Sequence, residues 1–261
     1  MLFRSNVDPV NVTEEKIKLV VKYCTPGNVA ALGVESFDED VVKANRLNSN
    51  AEASMSAITA INRFGSERGE NGMPKFLPGL NIIFGLIGES KKTHAANIES
   101  LKKILDENLL LRRINIRQVA IFPGTFIEKE CGNKFLRKNS RYYWKWRNEI
   151  RQKIDNEMLK RLLPVGTVLK ECIAEIYDGK TTFLRQIGTY PLIIGVKAKP
   201  YAKKEDGNDG KAKNGNDKGE SIEKKNEETR KDGMLELGRF YNIKVTGYML
   251  RSVVGEVVES E

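Results

Sequence analysis

The chain reads as an α/β protein that changes character past its middle and ends in a small antiparallel β-barrel. Three observations predict this. Apolar runs alternate with helix-period segments up to residue 163, the order that gives parallel strands with right-handed crossovers. From residue 164, short β-branched runs replace them, several separated by glycine, as in a compact all-β module. Within that module, residues 200–233 hold nine basic and nine acidic residues and almost no apolar ones, the composition of a disordered surface loop. The expected domains are 1–163 and 164–258, with 200–233 as an insertion in the second.

Residues 13–23 have helical periodicity, with Thr13 as N-cap and Glu14 and Glu15 in the first turn, where carboxylates suit the helix dipole. Residues 29–36 form an apolar run ending in Glu35 and Ser36 and read as a buried strand. No preceding β/α unit is legible, and no proline or lysine blunts the 30–34 edge, so something must cover it. Residues 50–64 read as a helix capped by Asn48, Ser49 or Asn50 and stopped by Gly65. Glycines and two prolines make 65–79 a loop. Residues 80–86 are the second strand and 93–109 the second long helix. The third strand is 113–122, ending at Pro123-Gly124-Thr125, and a highly charged helix follows over 138–162. Strand candidates in the second domain are 167–169, 181–184, 192–194, 241–245 and 252–258.

The 261 residues suffice for about two domains. No apolar run approaches membrane-span length, and residues 1–9 lack a signal-peptide core, so a cytoplasmic protein with no membrane partner is expected. Cys24, Cys131 and Cys172 are dispersed and His94 is the only histidine. That spacing predicts neither a disulfide framework nor a metal site, and places His94 at the surface or a helix cap. The net charge of +9 is localised: 110–170 carries 15 basic and 5 acidic residues, while 1–109 carries 13 and 14. One segment makes the protein basic.

Four groups of residues carry candidate chemistry. Gly85, Gly88 and Glu89 form a glycine-spaced turn at the C-terminal end of a parallel strand, where α/β folds bind ligands. The plain alternative is a tight strand-to-helix turn. Glu35 and Ser36 end the previous strand and suit a ribose diol or an ammonium; alternatively, Ser36 only caps a helix. Arg112, Arg113 and Arg117 flank or lie in the third strand, and an arginine buried there needs a partner such as Glu35 or a ligand carboxylate. Solvent exposure at the start of the strand is the alternative for Arg112 and Arg113. Finally, residues 134–153 hold eight basic side chains against Glu149. Lys138, Arg141, Lys145 and Arg147 can neutralise phosphates, while Tyr142 and Trp146 can stack on unpaired bases. The alternative is a solvated helix whose aromatics face the core. Two tyrosines and two tryptophans within 142–146 cannot all share one helix side.

These motifs together resemble the C-terminal half of a radical S-adenosylmethionine (SAM) enzyme. Phe84-Gly85-Leu86-Ile87-Gly88-Glu89-Ser90 is similar to the superfamily's fifth-strand adenine motif, Gly33-Val34-Glu35-Ser36 to its fourth-strand ribose motif, and 118–125 to its sixth strand. Tyr23-Cys24-Thr25-Pro26-Gly27-Asn28, Leu77-Pro78-Gly79-Leu80-Asn81, 111–118 and 184–191 resemble an archaeal radical SAM group that ends in a helix-hairpin-helix. The final barrel resembles the RNA-binding TRAM module. The resemblance implies strands four to six of a partial (β/α)6 barrel, with cofactor contacts from Glu35, Ser36, Asn81, Gly85, Gly88, Glu89 and Arg117.

The chain departs from that pattern in two places. Nothing in it matches the Cys-x3-Cys-x2-Cys loop that holds the family's [4Fe–4S] cluster, and no helix-hairpin-helix follows. The resemblance therefore implies that a separate polypeptide supplies strands one to three and the cysteine triad, while this half binds SAM and acts on RNA or another nucleic acid. The competing reading is a non-catalytic RNA-binding protein on a relic half-barrel, and a gene fragment without function is the third.

Overall fold

Two sheets organise the residues that the computed structural model describes: 4–188, 190–198 and 233–258. In the first sheet, β1 (Arg4–Val7), β2 (Asn28–Glu35), β3 (Phe76–Phe84) and β4 (Arg113–Gln118) run parallel in that order. Side chains alternate between faces along each strand. On one face Leu32, Val34, Leu80, Ile82, Phe84, Ile114 and Ile116 are buried. There they meet α1 (Glu14–Tyr23), α3 (Ala51–Gly65), α4 (Lys91–Asp106) and α6 (Lys134–Ile150) in one apolar core. The other face holds small and polar residues in register: Asn6 opposite Ala31, Ala31 opposite Gly79, Gly79 opposite Arg113, and Asn81 between Gly33 and Asn115.

The strand ending at Glu35 is not the edge of the sheet. β1 pairs with it from Arg4↔Val29 to Val7↔Leu32. Its sequence, Arg-Ser-Asn-Val, is too short and polar to announce a strand, and pairing with β2 makes it one. β3 begins at Phe76, inside the stretch expected to be a loop, and Pro78 lies within it opposite Ala30. A proline-glycine pair reads as a turn, which hid those residues. β4 stops at Gln118, short of the expected end at 122, and Phe122 is exposed.

The capping residues expected from sequence hold. Thr13 accepts from the Lys16 amide, and Asn50 from Ala53 at 2.8 Å. Two short helices, α2 (Glu39–Ala44) and α5 (Phe126–Glu130), fall below the length at which periodicity is legible. The charged helix starts earlier than expected and is interrupted. A π-helical turn, Arg151–Asp155, joins α6 to α7 (Asn156–Leu162). At that turn Arg151 pairs with Asp155 and donates from Nη1 to the Ile114 carbonyl at 2.7 Å, fastening the helix to β4.

The second sheet closes into a barrel in the order β5 (Val168–Asp178), β6 (Thr181–Gln186), β7 (Ile193–Lys197), β9 (Val253–Val258), β8 (Phe240–Tyr248). It is mixed rather than wholly antiparallel, because β7 and β9 pair in parallel at Ile194↔Val253. Its core takes in Leu159, Leu162 and Leu163 at the end of α7, together with Met73 and Leu77 from the first sheet's side. Of the insertion expected at 200–233, residues 200–232 lie outside the described residues. Among the described residues, no helix is long and apolar enough to cross a membrane.

Candidate functional site

Parallel sheets ordinarily have both faces covered. Here the polar face of the first sheet borders a cavity of about 480 Å³, lined by Asn6, Glu35, Asn81, Asn115, Arg117 and Tyr190 among others. Ala31 and Gly79 keep its floor low. A second hollow of about 360 Å³ shares Asn6, Glu35 and Asn81 and reaches Arg46 and Asn48.

Glu35 is the centre of this surface. A register shift between Gly33 and Glu35 ends the regular pairing of β2, and Glu35 takes a left-handed φ of 59°. Non-glycine residues adopt that conformation at a cost and often at functional sites. Its carboxylate folds back over Gly33, where an added Cβ would lie 3.3 Å from Oε1. Oε2 is buried and has no hydrogen-bond partner among the described residues. Burial pushes the carboxyl pKa up to about 7, with the Arg117 guanidinium pulling it back. Beside it, the Asn81 and Asn115 amides lie 3.0 Å apart. Turned with its oxygen toward Arg117, the Asn115 amide accepts from Nε at 2.8 Å and Nη2 at 3.2 Å. The surface therefore offers an unspent carboxylate acceptor opposite an oriented guanidinium on a flat floor.

Of the expected cofactor residues, Glu35, Asn81 and Arg117 converge here. Ser36 does not: it is buried, and its hydroxyl accepts from the Asp38 amide at 3.1 Å. The Gly85–Glu89 turn is also placed elsewhere. Leu136 on α6 packs on Gly85, whose φ is 96°. Glu89 is 1% exposed, accepts from the Gly85 amide, and has its carbonyl bonded by Asn139 at 3.1 Å. Desolvation raises the Glu89 pKa to about 7 despite those amides. The carboxylate at this turn is enclosed and does not reach the sheet cavity; Gly88 alone of the three is exposed.

On α6, Lys138, Arg141 and Lys145 are exposed. Trp146 is not available to a base: it is 5% exposed, stacked on His94 at 5.0 Å and on Tyr142 at 5.4 Å. Tyr142 is partly buried against the same core. The aromatic left free is Trp144, 62% exposed, with Arg147 over its ring at 5.0 Å. His94 is buried rather than at the surface, and its Nε2 lies 2.9 Å from Glu149. Lys153 and His94 hold the Glu149 carboxyl down at about 2.

Sequence reasoning passed over Asn6, Asn115 and Tyr190. Asn115 had a signal in the alternation of Arg113, Asn115 and Arg117 with Ile114 and Ile116, which marks one polar and one apolar face, whereas Asn6 lies on the short polar β1 and had none. Tyr190 had none, because it arrives from the β6–β7 connection of the other domain. The three cysteines do not converge, and among the described residues no group of three His, Cys, Asp or Glu could hold a metal ion. Cys172 is enclosed in the second core, where burial pushes its thiol up to about 12.

Comparison with known proteins finds relatives in two archaea. An uncharacterised protein of Archaeoglobus fulgidus is 46% identical over 200 residues, covering 74% of this chain and 37% of that protein. Another, from Methanocaldococcus jannaschii, is 38% identical over 247 residues, covering 94% of this chain and 39% of that protein. The chain thus spans about two fifths of the length of the curated relatives it matches. Among solved structures, coproporphyrinogen III oxidase of Escherichia coli, described as a radical SAM enzyme, matches with 14% identity and a TM-score of 0.37 over 54% of this chain and 31% of that one. A score that low carries no fold assignment. No family model matches the chain. What stands is an α/β protein with archaeal relatives, a parallel sheet whose polar face borders a cavity, and a closed β-barrel beside it.

Proposed function

We propose that this chain is the SAM-binding part of a radical SAM enzyme acting on RNA, with the cluster held by a cysteine-bearing part outside the residues of this chain. One observation carries the reading: the buried, unpartnered Oε2 of Glu35 lies on the same bare sheet face as Arg117, next to the Asn81 and Asn115 amides. An aminoacyl nucleoside matches that set. Its hydroxyls or ammonium satisfy Glu35, its carboxylate takes the Arg117 fork, and its flat base needs the low floor of Ala31 and Gly79. The motifs around Gly33–Ser36 and Phe84–Ser90 support the same reading by their resemblance to that superfamily.

The chain's cysteines do not fit a cluster that needs converging thiolates. Held by residues outside this chain, the cluster would supply the electron that cleaves the cofactor. The residues of this chain bind and orient the cofactor and keep water from it. On this reading the four strands β1 to β4 are part of a (β/α)6 barrel and the mixed barrel is TRAM-like. The cluster-bearing part would join at β1, which, rather than the Ala30–Val34 strand, is the edge of the sheet among the described residues. Next to β1 an apolar hollow of about 390 Å³, lined by Val7, Val12, Ile17, Val20, Ile61 and Phe76, would receive a covering segment.

Calorimetric titration of the full chain with S-adenosylhomocysteine tests the reading. One site is expected, and Glu35→Gln or Arg117→Gln should each weaken it about tenfold, since each removes a charge-assisted contact. No binding by the native chain would sink the proposal. Adding a polypeptide with the Cys-x3-Cys-x2-Cys loop should then yield cofactor cleavage. RNA binding with no nucleoside binding would instead favour a non-catalytic RNA-binding protein.

A further inference from the structure

A run of guanidinium groups lies along the seam between β4 and the small barrel. Arg113 stands over the Tyr190 ring at 4.2 Å, and Arg112 donates from Nη2 to the Tyr190 carbonyl at 2.6 Å. Tyr190 holds a left-handed φ of 57° there and lines the sheet cavity. Across the seam, Arg151 is 5% exposed and paired with Asp155, and Nε of Arg251 lies 3.6 Å from the same carboxylate. Arg147, four residues before Arg151, acts on Arg251 and stacks over the exposed Trp144.

The charges in this run do not balance. Asp155 is the one carboxylate among the described residues that acts on Arg112, Arg113 and Arg251, whereas neighbouring arginines act on all three. Burial first, then mutual repulsion, lowers the pKa of Arg112 to about 10. The Nε–H groups of Arg112, Arg147 and Arg151 are buried without an acceptor among the described residues. Excess buried charge and idle donors each cost stability. An anion held against the partly exposed Arg113 and the exposed Arg251 would offset that excess charge, and planar guanidinium forks fit phosphate better than ammonium groups do.

We propose that this seam is a phosphate-binding track that takes the backbone of single-stranded RNA, from a base stacked on Trp144 to the cavity on the sheet. An RNA strand is favoured over a lone phosphate because the arginines extend from an exposed aromatic face to the candidate reaction site, and stacking with phosphate contacts is how unpaired strands are held. The track rests on the function proposed above for its purpose, though not for its chemistry.

The test uses the full chain and a short labelled oligouridylate, with inorganic pyrophosphate titrated separately. Arg113→Gln combined with Arg251→Gln should weaken RNA binding about tenfold and reduce the slope of log affinity against log salt by about 1.4, for two lost contacts. Lys102→Gln with Lys103→Gln, on the exposed face of α4, should change neither. Arg251→Lys, which keeps the charge and loses the fork, should fall between, and it guards against misfolding of the double variant. RNA affinity and slope unchanged in a double variant that melts like the native chain would overturn the proposal. Arginine-dependent binding of pyrophosphate without RNA binding would overturn the RNA strand and assign the site to a free phosphoanion. S-adenosylhomocysteine titrated into the same preparation reports on the cavity separately, so either reading can fail alone.

Discussion

Glu35 and Glu89 are both pushed up to about 7 by burial, and they do opposite things with it. Glu89 is enclosed under α6, where one oxygen accepts from the Gly85 amide and Oε1 is buried without a partner among the described residues. Glu35 faces a cavity with an acceptor to spare. For Glu89 the folded state prefers the protonated form, so its contribution to stability is full below the unfolded value of 4.5 and is lost as pH rises through about 7. A rise of that size corresponds to about 3 kcal/mol at most. Melting curves should therefore show stability falling from about pH 4.5 to about pH 7. Glu89→Gln should flatten that fall and melt higher at the alkaline end. An unchanged pH profile in the variant would show that Glu89 is not the group responsible.

At the scale of elements, α6 carries two surfaces that sequence could not separate. Its outer face holds Lys138, Arg141 and Lys145, and its inner face holds Trp146 in the core. Changing the three basic residues to alanine should weaken RNA binding and flatten its salt dependence if the outer face also touches phosphate; identical filter-binding curves at low and moderate salt would remove it from the contact surface. Trp146→Ala should cost about 3–5 kcal/mol in denaturant unfolding, as for other buried aromatics. The alternation of Ile114 and Ile116 with Arg113, Asn115 and Arg117 made β4 legible, and Asn50 and Thr13 marked helix starts. What stayed hidden depends on tertiary pairing. β1 has no apolar signal of its own, Pro78 sits in a strand that its neighbours hold, and the π-helical turn at Arg151–Asp155 is fixed by a carbonyl on another element. The strand ends made Glu35 and Arg117 legible as neighbours, and both line the sheet cavity, but the enclosure of Ser36 and Glu89 depends on packing that sequence does not show.

At the scale of the molecule, the two sheets share a wall. Leu162, 1% exposed, ends α7 within the barrel's core, and Leu77 on β3 reaches the same core. The sheet and barrel should therefore unfold together. Leu162→Ala is expected to lower a single calorimetric transition by about 2–5 kcal/mol rather than split it; two separate peaks in the native chain would refute this coupling.

The carboxylate of Glu35 lies over the bare α-carbon of Gly33. That makes positions 33 and 35 one heritable unit. A side chain gained at 33 would meet Oε1 at 3.3 Å from its Cβ, so the acid must shift to admit it. In an alignment of descendants the two positions should change together, a larger residue at 33 going with a shorter side chain at 35.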